Sequence, residues 1–139
     1  MIRFRLPGRR PLFAGFALLC GLTTAVAADR ASGEAASERI AEAYQKGRCA
    51  QVVALAQQLE GRAPDSVDGI THYRWGFCAA RTRRGDPVAH YEKAAQLLGE
   101  AVATGEAGLQ QHFYRVNALI NLRRAEQAVS AAREAVDHW

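Results

Sequence analysis

Little in this sequence of 139 residues suits catalysis or metal chemistry. It has three cysteines, four prolines and a single methionine. Cys20, Cys49 and Cys78 stand too far apart for a C-x-x-C redox or zinc motif. His72, His90, His112 and His138 are each at least 18 residues from the next, so no two sit one helical turn apart as paired metal ligands would. There is no nucleophile elbow and no phosphate-cradling glycine loop. Cys78 with His72 is the only pair that could act as nucleophile and base, and core or surface filling is the preferred reading of both. We therefore expect no enzyme, no catalytic residue, no cofactor and no metal site, with a small helical enzyme as a remote alternative. Alternation of apolar and polar residues is also missing, which argues against strands.

Acidic residues are missing from the first 28 positions, where Arg3, Arg5, Arg9 and Arg10 precede an uncharged run from Pro11 to Ala28. Leu12 to Leu19 forms an apolar centre, and Ala25-Val26-Ala27 supplies the small-x-small pattern of a signal-peptidase site. The expectation is a signal peptide over 1–27, an exported protein, and a periplasmic (bacterial) address. An uncleaved anchor is the competing reading, since this run reaches only the lower edge of spanning length. The net charge of +4 comes from those four arginines, so residues 28–139 are formally neutral. A neutral body has no overall field to recruit phosphate backbones, and no nucleic-acid partner is expected. The local group Arg74, Arg81, Arg83 and Arg84 reads as a solvated helix end favoured by the dipole.

Two cysteines remain after the leader. In an oxidising compartment Cys49 and Cys78 can form one disulfide, preferred here over two buried small hydrophobes. Such a bridge, closing about 30 residues, contributes roughly 3 kcal/mol on the chain-entropy account.

Residues 28–36 lack apolar periodicity and read as a flexible lead-in. Helical spacing begins at residue 37. Ile40, Ala43 and Tyr44 mark a first helix, and Val52, Val53, Ala56 and Leu59 a second. Ile70, Tyr73, Phe77 and Ala80 mark a third, and Tyr91, Ala94, Leu98 and Val102 a fourth. Leu109, Phe113, Val116 and Ile120 mark a fifth, and Ala128, Val129, Ala132 and Val136 a sixth. Between the third and fourth, Gly85 can close one helix while Asp86 caps the next and Pro87 opens it. The same junction recurs 38 residues to either side, at Gly47-Arg48 and at Arg123-Arg124.

A helix pair at a regular interval, with Ala43-Tyr44-x-x-Gly47, Trp75-Gly76 before Gly85, and Ala118 to Ala128 with Arg123 in place of the turn glycine, resembles the tetratricopeptide repeat (TPR) family. The longer unit, with Tyr91-Glu92-Lys93-Ala94-Ala95, is similar to the Sel1-like branch. The resemblance implies an all-α fold: a short right-handed solenoid of three helix-turn-helix repeats over residues 37–139. It implies protein binding on the concave face of the first helix of each pair, where Tyr44, Trp75, Phe113, Asn117 and Asn121 are the candidates. The bland alternatives are a core Trp75 and two ordinary exposed asparagines. The expected partner is a protein or peptide of the cell envelope, with self-association as a second possibility and membrane contact only through an uncleaved leader.

Overall fold

The computed structural model describes residues 20–138. Six α-helices follow one another: α1 (Cys20–Gln45), α2 (Cys49–Arg62), α3 (Gly69–Thr82), α4 (Pro87–Ala103), α5 (Leu109–Asn121) and α6 (Ala125–His138). A single 3-10 turn, Pro64–Ser66, interrupts the α2–α3 connection, and no strand occurs among the described residues. The all-α expectation holds. The charged start and most of the apolar run of the expected leader lie outside the described residues.

One expectation is corrected. Residues 28–36 are not an irregular lead-in but part of α1, which is continuous through them. Alanine, serine and glutamate are compatible with a helix without marking a face, so the absence of an apolar stripe was no evidence against helix. Packing of α1 starts at Gly33, whose missing Cβ lets Ser66 approach, while the described side chains at 27, 28 and 30–32 are exposed.

The junctions repeat in their hydrogen bonds. After α1, Gly47 takes φ +67° while its N–H and that of Arg48 reach back to Tyr44 O and Ala43 O. After α5, Arg123 takes φ +59°, and its N–H and that of Arg124 reach Ile120 O and Leu119 O. At the central junction the closing residue is Arg83 (φ +54°), with the Arg84 N–H on Ala79 O, rather than Gly85. Gly85, at φ +82°, serves the connector that follows. In all three, a left-handed residue satisfies carbonyls the helix end leaves open. Asp86 then caps α4, its carboxylate accepting from the N–H groups of Val88 (2.9 Å) and Ala89 (3.3 Å).

Each helix packs on the next in sequence, and α3 also touches both α1 and α5. The even-numbered helices make no such second-neighbour contact among the described residues. The odd helices therefore form one layer, with α3 in the middle. Beneath it lie three small cores. Ile40, Val52, Ala56, Trp75 and Cys78 fill the first, Ile70, Tyr73, Tyr91, Ala94 and Ala118 the second, and Leu119, Ala128 and Ala131 the third. Two glycines let α3 and α4 come close. A Cβ on Gly69 would sit 2.6 Å from Leu98 Cγ, and one on Gly76 would sit 3.1 Å from the Pro87 carbonyl oxygen.

Candidate functional site

Arg74 falls inside the apolar stripe of α3, since Ile70, Phe77 and Arg81 lie four, three and seven residues from it and share its side of the helix. Tyr44 approaches this stripe from α1 and Tyr114 from α5. The Tyr44 ring meets Phe77 edge-on at 5.4 Å, and Tyr73 lies 4.9 Å from Tyr114 and 5.7 Å from Tyr91. All four tyrosines of the chain belong to this cluster. Phe113 extends it outward, edge-on to Tyr114 at 5.4 Å.

The Arg74 guanidinium lies between two of these rings, 5.8 Å from the Tyr44 centroid and 5.5 Å from that of Tyr114. The residue is only 8 % exposed, and its Nε is buried with no hydrogen-bond partner. It makes no ion pair among the described residues; the bridges there are Lys46–Glu42, Arg115–Glu134 and Arg124–Glu92. Arg81 covers Phe77 at 5.6 Å, adding a second, exposed cation. Burying an ion costs several kcal/mol, and a ring contact of this kind returns about 0.5–2 kcal/mol. Two rings therefore offset only part of the cost, and the lost hydrogen bond of the buried Nε–H adds to what remains. The arginine that the sequence suggests is a solvated helix-end charge is instead a buried cation without a counter-charge.

Burial also acts on the phenols. It pushes Tyr73 up to about 12, helped by the neighbouring tyrosines and opposed by a hydrogen bond from Asn121. Burial raises Tyr44 too, followed by Tyr114, against the pull of Arg74 and Arg81, and it raises Tyr91. Tyr44, Tyr73 and Tyr91 are thus held as neutral hydroxyls near pH 7, able to donate and accept.

Of the five candidates read from the sequence, Tyr44 lies in this cluster and Phe113 at its rim. Asn117 and Asn121 follow on α5, but each spends an amide N–H on its own helix, at 2.8 Å to Phe113 O and Asn117 O. Trp75 takes the core position that the sequence also offered: it is buried at 4 %, in the first core, stacked on His90 at 3.8 Å. Two residues along a helix is a rotation of about 200°, and this turns Trp75 away from the side that carries Tyr73 and Phe77, with Arg74 between. Those three and Tyr114 are the residues the sequence reading missed. The signal was there, because Arg74 interrupts an otherwise apolar stripe.

His72 and His90 face each other across α3 and α4, Nδ1 to Nδ1 at 3.4 Å. Burial is the main cause holding His72 down at about 4, followed by the neighbouring His90 and then Lys93, and burial lowers His90 as well. Cys78 is not beside a base but at bonding distance from Cys49, with Cα atoms 4.7 Å apart. No cluster of three or more histidine, cysteine or acidic side chains among the described residues has metal-binding geometry. No described helix is long and apolar enough to cross a membrane.

A second surface begins at the rim of this cluster, at Phe113. Leu109, Phe113, Val116 and Ile120 recur at three- and four-residue steps on the side of α5 opposite Ala118, and Leu109, Phe113 and Ile120 are more than half exposed. On α6, Val129 (52 %) and Val136 (76 %) are exposed in the same way. Compared with protein-family models, curated proteins and solved structures, the chain gives no significant match.

Proposed function

We propose that the protein is an exported, periplasmic adaptor, a short solenoid of three TPR-like or Sel1-like helix pairs, that binds a protein or peptide on the face formed by α1, α3 and α5. The observation that carries this reading is the convergence of Tyr44, Phe77 and Tyr114 around an unpaired Arg74 on the layer of odd helices, above the core that holds Tyr73. A core needs apolar groups in contact and gains nothing from an uncompensated cation. A binding face does, because the missing counter-charge arrives with the partner. The second-neighbour contacts of α3 with α1 and α5 support a stacked array, in which the inner layer is open to an extended ligand.

Export rests on the basic, then apolar, then small-residue pattern of the first 27 residues. It agrees with α1 making no buried contact before Gly33 in its described side chains. The Cys49–Cys78 pair suits an oxidising compartment.

A photocrosslinking amino acid tests the binding reading in intact cells, placed at Tyr44 or Arg81 on the proposed face and at Gln57 on the outer side of α2. Adducts with one partner from the first two positions and none from Gln57 are expected. Equal labelling from all three, or none from any, would overturn it.

A second reading has its own support. The exposed apolar stripes on α5 and α6 would suit an accessory or inhibitory subunit that self-associates or completes a partner's helical stack. Light scattering tests its self-associating form, which requires a dimer or larger species that Val129→Glu with Val136→Glu dissolves.

A further inference from the structure

We infer that the occupant of the α1/α3/α5 face is a peptide segment carrying an Asp or Glu side chain, whose carboxylate pairs with Arg74 between the rings of Tyr44 and Tyr114. This rests on the peptide-binding reading above and names the chemistry of its ligand.

Three observations lead there. Arg74 is more than nine-tenths buried, has an unpartnered Nε and has no carboxylate beside it among the described residues. Rings flank the guanidinium at 5.8 and 5.5 Å. A guanidinium flanked by rings is left with its edge for hydrogen bonding, and an edge-on guanidinium matches a planar carboxylate with two parallel N–H donors. The rest of the face fits the same ligand. Arg81 adds positive charge, neutral phenols supply hydroxyl donors to an oxyanion, and Phe77 and Phe113 offer ring surface to apolar neighbours of the acidic residue. Since residues 28–139 are formally neutral, the preference for an acidic segment is local and not a product of net charge.

Other features of the molecule lead less far. The His72–His90 pair has only two nitrogen ligands to offer a metal. The acidic side chains Glu34, Glu38, Asp65 and Asp68 line an open cleft beside α1 that Arg30 lines as well, so a basic side chain already shares it. Nothing on the apolar side of α5 and α6 identifies what covers it.

The test is selection of the intact protein against randomised dodecamer peptides with blocked, amidated C-termini, so that any carboxylate bound must be a side chain. The same selection is repeated with Arg74→Met and Arg74→Lys, whose helicity is checked first by circular dichroism. An enriched Asp or Glu at one position, with affinity at least tenfold weaker for the Gln or Asn version of the peptide and for Arg74→Met, is the expected result. Arg74→Lys should keep the acidic preference with reduced affinity. Peptides enriched without an acidic position, or an acidic preference that survives Arg74→Met, would overturn the inference and leave the binding reading standing. Failure to enrich any peptide would overturn both. Replacing the acidic residue of the best peptide by phosphoserine distinguishes the anion: tighter binding would overturn the carboxylate assignment in favour of phosphate.

Discussion

A buried charge without a partner makes the wild-type side chain the less stable choice. Methionine has nearly the length of the arginine stem and no charge to desolvate, so Arg74→Met is expected to leave the fold unchanged or stabilise it by about 1 kcal/mol while removing ligand binding. Urea titration reads the first effect, and a loss above 2 kcal/mol would mean that the arginine holds the three odd helices together. His72 leads to a prediction of a different kind. Its folded pKa of about 4 lies below the usual 6.5, so the contribution is fully present above pH 6.5 and is lost as pH falls from there toward 4. Over that window the unfolded chain takes up a proton that the folded chain excludes, worth roughly 3 kcal/mol at the limit. His72→Phe, which keeps a ring beside Trp75, should flatten the fall in melting temperature between pH 6.5 and 4.5. An unchanged slope would place the acid sensitivity elsewhere.

Two glycines, each with open space around it, predict opposite signs for one substitution. Gly47 is left-handed at φ +67° and a Cβ there meets nothing within 4 Å, so Gly47→Ala should cost about 1 kcal/mol through the backbone alone. Gly61, within α2, is also in open space but carries no positive φ, so Gly61→Ala should add about 0.5–1 kcal/mol. Denaturant midpoints of the two variants check the pair together. The connection between α2 and α3 is held in another way. Cys49 and Cys78 bring the start of α2 to the later turns of α3 across 29 residues. A bridge there contributes roughly 3 kcal/mol, so reductant or a double Cys→Ala variant should lower stability by that order. An unmoved melting temperature would mean the thiols remain free in the purified protein.

Three small successive cores contribute to the fold largely by addition, so loss of one should be felt most by its neighbours. The exposed apolar side chains of α5 and α6 fall together on one helix pair. If self-association prevails, mass in solution will exceed that of one chain and fall with Val129→Glu. The proposed leader is tested on the same protein purified from cells: its mass should correspond to an N-terminus at Ala28, and retention of residues 1–27 would favour the anchor.

How much of this was legible beforehand depends on the kind of physics involved. Period, caps and turns are local, so the six helices, their near-regular spacing and the turn at Arg123 follow from residues within a few positions of each other, and so does the even cysteine pair. The start of α1 was missed because a helix without an apolar face leaves no periodic trace. Which ring faces which helix is decided by rotations of 100° per residue and by contacts between positions as distant as Tyr44 and Tyr114. Only the packed structure could exchange Trp75 for Arg74 at the centre of the face, because burial of a charge is a property of what surrounds it and not of its own neighbours in the chain.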